Sequence, residues 1–183
     1  MRSFDDEAVE FLPIRLMISM VIIGVITLLF ILGSSRVSRE VADNQIEQQL
    51  LDLETKLNLL VTTGSPRDLD HPIINGSLRS YRLYIPEHVH YVCFGGDPTI
   101  ETEDSDMIQH HRMMSSIVYL CEPKSKRIRW LDQKIRLVKG SRINDEWTLP
   151  PNPEMFVCTE SGTYDLCFEL VERNNDIYVM IYR

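Results

Sequence analysis

A basic surface, nucleotide-binding loops and recognisable catalytic motifs are what this 183-residue chain lacks. Lysine and arginine number 19 against 27 aspartates and glutamates, a net charge of −8. Nucleic-acid binding needs a basic face, so that partner is excluded, as is a polybasic membrane-surface domain. No G-x-S-x-G, H-E-x-x-H or P-loop pattern occurs. Gly95-Gly96-Asp97-Pro98 has no following lysine to hold a phosphate and reads as a turn. The cysteines show no C-x-x-C spacing, which argues against zinc. His88 with His90, and His110 with His111, have no carboxylate or cysteine at a spacing that completes a metal site. Glu101, Glu103, Asp104 and Asp106 lack the glycine and distal glutamate of a calcium loop. The expectation is no catalytic residue, no metal, no cofactor and no enzymatic activity.

Two further absences organise the chain. Leu16 to Leu32 has no charge, and its polar positions are confined to Ser19 and Thr27. From 34 to 63 there is no proline and no glycine. The first stretch, Leu16–Gly33, spans about 27 Å as a helix, close to the thickness of a bilayer core. A secretory signal would have a basic start, a shorter apolar core and a small-residue cleavage site. Here Asp5, Asp6, Glu7 and Glu10 outweigh Arg2. The run therefore reads as a retained membrane helix. Pro13 fits its first turn, and Arg15, Arg36 and Arg39 flank the span.

Beyond Gly33 the apolar positions are Val37, Val41, Ile46, Leu50, Leu53, Leu57, Leu60 and Val61, a stripe of helical period. Gly64-Ser65-Pro66 supplies the stop. The spacing predicts an acidic N-terminal segment over 1–12 and a helix over 13–63 that spans a membrane at about 14–33. A linker over 64–77 and a β-rich head over 78–183 follow.

In the head, short runs of strand character are separated by turn signals. They include SLRSYRLYI, HVHYVCF, SSIVYLCE, RIRWL, KIRLV, EWTL and MFVCTE. YDLCFELVERNNDIYVMIYR reads as a C-terminal hairpin turning at RNND. The expected class is α+β: a long N-terminal helix, then a mostly antiparallel, sandwich-like head. Cys93, Cys121, Cys158 and Cys167 all fall in this β region. An even number behind a membrane helix suggests two disulfides in an oxidising compartment. Cys158–Cys167 plus Cys93–Cys121 is preferred among three connectivities, because Cys158 and Cys167 bracket TESGTYDL, whose ESG turn (160–162) would fold two strands back on each other. Buried thiols are the alternative. Disulfides would place the head outside the cell and the N-terminus in the cytoplasm. Asn75-Gly76-Ser77 is a glycosylation sequon there, or simply a turn.

The segment DDEAVEFLPIRLMISMVIIGVI resembles the N-terminus of archaeal type IV pilin-like proteins. That resemblance implies a prepilin peptidase cut after Glu7-Ala8, leaving Val9 as the mature N-terminus. It implies that Glu10 neutralises a neighbouring subunit's terminal amine; Arg15 of a neighbour is a second possible partner for it. It also implies self-association through the apolar helix into an extracellular filament, with the head exposed and assembly machinery as a partner. The reading of a different class is a single-pass anchored domain that binds a partner without polymerising.

Overall fold

The computed structural model describes residues 5–70, 76–100, 112–123, 125–143 and 146–183, with side chains from Ile14 onward except Ser35. Helix α1 runs Asp5–Thr63. Its contacts assign Met1–Val41 to one compact unit and Ala42–Arg183 to another.

In the first unit, α1 keeps helical backbone through Gly33 and Ser34. No large apolar side chain from Ile14 to Leu32 is buried. The hydroxyls in and beside this run turn back on the helix. Ser19 donates to the Arg15 carbonyl, Thr27 to Ile23 and Ser34 to Ile31. Such back-bonding leaves no hydroxyl seeking water, which suits a helix with an apolar exterior.

In the second unit, Ala42, Ile46, Leu50, Leu53, Leu57 and Leu60 of α1 are all buried. Their steps of three and four residues keep them on one helix face. Full burial of each larger side chain is worth about 1.5–3 kcal/mol, which holds this half of the helix to the head. Val37 and Val41 belong to the same sequence stripe but are exposed. The helix ends where the Gly64 N–H donates to the Leu60 carbonyl. A Cβ at Gly64 would lie 2.3 Å from that carbonyl oxygen, so no other residue fits without movement.

Eleven strands follow among the described residues. They are β1 (Arg67–Asp68), β2 (Leu78–Ile85), β3 (Val89–Phe94), β4 (Ser116–Cys121), β5 (Ser125–Trp130) and β6 (Leu137–Lys139). Then come β7 (Ser141–Ile143), β8 (Glu146–Thr148), β9 (Phe156–Cys158), β10 (Gly162–Arg173) and β11 (Asp176–Tyr182). One sheet is centred on β10 and β11. On one side, β10 takes antiparallel β2 over Gly162–Glu169 and parallel β1 at Val171–Glu172. On the other side β11 is antiparallel to β10 and parallel to β6. The second sheet runs β5-β4-β3-β9, all antiparallel. A hairpin of β7 and β8 forms a third, small sheet. The head is thus a mixed, largely antiparallel β domain.

The β10–β11 hairpin turns at Asn174 and Asn175, whose φ angles are 52° and 67°. Two consecutive left-handed residues make the turn whose twist matches the strands, and asparagine tolerates that conformation. One large core gathers the buried face of α1 with Leu83, Ile85, Leu166 and Phe168 of the first sheet and Val92, Phe94, Ile117 and Tyr119 of the second. Phe168 meets Phe94 edge-on, with ring centroids 6.1 Å apart. A smaller core, Met114, Val138, Leu149, Val171 and Met180, includes the positions that alternate with the first on β10 and β11.

Candidate functional site

The apolar segment of α1 is the first candidate. Among the described residues, α1 is the one helix long and apolar enough to cross a membrane. Phe30 is 75% exposed and Met17 69%. A Cβ added at Gly24 or Gly33 would meet nothing within 4 Å, so no packing among the described residues requires glycine there. Arg15 lies at the start of this segment and is exposed. Glu7, Ala8, Val9 and Glu10 sit in the helical backbone of α1, while their side chains lie outside the described residues.

The cysteines correct the sequence expectation. Cys93, Cys121, Cys158 and Cys167 are all free, and the expected disulfides are absent. Cys93 stands opposite Val118 and Cys121 opposite Val89 on the paired strands β3 and β4. That register separates the two cysteines by about four residues, roughly 13 Å along the strands, beyond the ~7 Å limit for a disulfide. Cys158 and Cys167 do not bracket a hairpin. β9 pairs with β3, whereas β10 pairs with β2 and β11 in the other sheet. Burial pushes the Cys93, Cys121 and Cys158 thiols up to about 12, with Asp97 adding to the shift at Cys93 and Asp43 at Cys121. Such thiols behave as small core residues and are poor nucleophiles.

His88 and His90 have different surroundings. His88 directs Nδ1 to Glu122 Oε2 at 3.4 Å, and His90 is exposed. Among the described residues no group of three His, Cys, Asp or Glu side chains could hold a metal. Asn75, His110, His111, Glu101, Glu103, Asp104 and Asp106 lie outside the described residues.

Three polar clusters escaped the sequence reading. Asp97, after the Gly95-Gly96 turn, has a side chain with no exposed surface. Its Oδ2 accepts from Lys126 Nζ at 2.6 Å, and its Oδ1 from the Thr99 hydroxyl at 2.7 Å and the Thr99 N–H at 3.0 Å. Burial works to raise this carboxyl, but Lys126 and the two Thr99 donors outweigh it and hold it below the ordinary carboxylate range. Beside it is a cavity of about 290 Å³ walled largely by Ile100, Met113, Met114, Leu137 and Met155. Among the described residues no nucleophile–base pair lines it.

The second cluster lies on the β10 face away from the large core. Arg67 Nε donates to Glu169 Oε1 at 2.6 Å and its Nη2 to the Trp147 carbonyl at 2.8 Å. Trp147 stacks on Tyr182 with centroids 4.5 Å apart. Burial, and then the Glu169 carboxylate, push the Tyr182 hydroxyl up to about 12. The third cluster joins α1 to β5. Arg127 meets Asp43 at 2.6 Å, while Arg129 meets Glu54 at 3.1 Å and Glu47 at 3.5 Å. These charges are far apart in sequence, and no local pattern pairs them.

The chemistry these sites offer is cohesion, with no reacting group assembled among the described residues. Compared with known proteins, the chain matches no family model, no curated protein and no solved structure.

Proposed function

We propose that this chain is a pilin-like structural subunit of a type IV-type extracellular filament, which assembles through its N-terminal apolar helix and leaves a sandwich-like β head exposed. The observation that carries this reading is the run Ile14–Leu32, whose large apolar side chains are all exposed. Water does not tolerate an apolar surface of that extent, so it must be covered by lipid or by copies of itself. Lipid holds the subunit before assembly, in a single pass with the N-terminus cytoplasmic. Neighbouring helices cover the same surface afterwards.

Processing follows from the resemblance at the N-terminus. A prepilin peptidase cuts between Ala8 and Val9, and the assembly machinery takes up the product. Glu10 offsets the new amine or Arg15 of a neighbour, because an unpaired carboxylate at the edge of an apolar region is costly. With the disulfides gone, placement of the head outside the cell rests on this resemblance, and so does glycosylation at Asn75. The role is structural, without catalysis.

Electron microscopy of cell-surface filaments, with peptide identification and N-terminal sequencing, tests the reading. Filaments containing this chain, starting at Val9 and lost on Glu10→Ala, are expected. Detergent-soluble monomers that keep Met1 would overturn it in favour of an anchored binding domain that does not polymerise.

A further inference from the structure

We propose that the free edge of β5 pairs with β5 of a second copy, antiparallel and two-fold, joining two heads into one continuous sheet. The Leu131 N–H donates to the Ser115 carbonyl, and Arg129 and Arg127 face Ile117 and Tyr119 in the same register. By the alternation of an antiparallel ladder, residues 125, 127, 129 and 131 therefore spend their backbone groups on β4. Those of Lys126, Ile128 and Trp130 point outward, and among the described residues nothing pairs with them.

Other edges are short or obstructed. β6 and β9 have three residues each, and Lys139 of β6 already donates its N–H to Glu154. β2 is blocked at Tyr84 by the Gln49 side chain and carries the exposed ion pair Arg82–Asp165. β5 has six residues, no proline, and Ile128 and Trp130 exposed at 39% and 46%. A lysine would ordinarily discourage pairing at such an edge. Here Lys126 is neutralised by Asp97.

The occupant follows from the alternation of the strand. An incoming strand must place an apolar residue beside Ile128 and, beside Trp130, a side chain that packs on a ring face, as the Arg112 guanidinium already does at 5.1 Å. On the other it meets the carboxylates of α1, which favour basic residues. β5 itself has this pattern. Centred on Ile128, the pairing sets Ile128 against its own copy, Lys126 against Trp130, and Arg127 against Arg129. The arginine contact would repel if bare, but the two arginines of each copy already engage three carboxylates, Asp43, Glu47 and Glu54. The contact is isologous and closes at two. A strand edge buries less than the roughly 1,200–2,000 Å² of stable free complexes. The pairing therefore draws on confinement of copies in one membrane, and so rests on the reading of the stem as an anchor, not on polymerisation.

Cysteine cross-linking of the full chain in lipid vesicles tests this, in a Cys167→Ser background. In the two-fold pair the Ile128 Cα atoms stand about 5.5 Å apart, within disulfide range. Ile128→Cys should form a disulfide-linked dimer at least about ten-fold faster than Thr163→Cys, an exposed position paired with Tyr84 of β2. Equal rates at 128 and 163 would overturn the proposal. Ile128→Pro removes an outward N–H and leaves the β4 ladder intact. It should abolish dimers seen by chemical cross-linking while circular dichroism keeps the native spectrum, and dimers that persist would equally overturn the proposal. If that variant fails to fold, the cysteine comparison decides alone. Dimers without filaments would count against the filament reading and leave the edge pairing standing; filaments without 128 cross-links would do the reverse.

Discussion

The Gln49 side-chain amide of α1 bonds both backbone groups of Tyr84 on β2. The Tyr84 N–H donates to Gln49 Oε1 at 2.8 Å, and Gln49 Nε2 donates to the Tyr84 carbonyl at 2.9 Å. A helix side chain thus stands in for one residue of a neighbouring strand. The Tyr81 hydroxyl adds a third link by donating to the Gln49 carbonyl at 2.7 Å. An unpaired strand edge invites intermolecular pairing, and this contact closes part of one.

Gln49→Ala should lower the stability of the head by about 1–2 kcal/mol, since two partly solvated hydrogen bonds are lost. The expected signature is a lower denaturant midpoint with an unchanged slope, followed by tryptophan fluorescence. An unchanged midpoint would mean that water replaces the amide at no cost.

The two faces of α1 should respond differently to truncation. Leu53 is 1% exposed and Leu59 is 48% exposed. Leu53→Ala should cost about 2–5 kcal/mol through lost burial and the cavity left behind. Leu59→Ala should change stability by no more than about 0.5 kcal/mol. Parallel denaturation of the two variants measures the contrast.

The Asp97–Lys126 pair makes the head sensitive to acid. The folded Asp97 carboxyl lies below its ordinary value of 3.8, so the unfolded chain binds the proton more readily. Its contribution is therefore present above about pH 4 and is lost as pH falls through the folded value. Lys126 is shifted above 10.5, chiefly by its hydrogen bond to Asp97. Its share is complete below that pH and disappears as pH rises through the folded value. Lys126→Met should destabilise the head at neutral pH, by on the order of 1–3 kcal/mol for the buried acceptor left short of a partner. It should also lose much of the wild-type decline between pH 5 and pH 2, as read by thermal unfolding at each pH.

Thiol chemistry checks the cysteines directly. Mass spectrometry without reductant should find no disulfide. In the folded chain iodoacetamide should modify Cys167, the one partly exposed thiol, well before Cys93, Cys121 and Cys158. In denaturant all four should react at similar rates.

Local periodicity made much of the molecule legible. The helix and its stop at Gly64 follow from apolar spacing and a glycine–proline signal. β2 was readable from Tyr81, Leu83 and Ile85 on one face, and the C-terminal hairpin from its two asparagines. Long-range pairing was not readable. The ESG turn suggests that MFVCTE folds back on YDLCFELVE, yet β9 joins β3 and β10 joins β2. The two-residue β1 carries no sequence signal of its own, and KIRLV announces β6 without its parallel pairing to β11, because the partner of a short strand is set by which distant neighbour offers backbone groups.

From the sequence alone came the apolar helix, its amphipathic continuation and the β character of the rest. Each depends on residues a few positions apart, whose spacing dictates which side of a helix or strand is apolar. Tertiary structure decided where that apolar stripe enters the core: at Ala42 and Ile46, with Val37 and Val41 left outside. It also left the four cysteines as free thiols, matched Arg127 and Arg129 to the acids of α1, and, among the described residues, left the β5 edge open. These outcomes depend on which distant strands meet and in what register, and a one-residue change of register would turn every side chain of a strand to the opposite face.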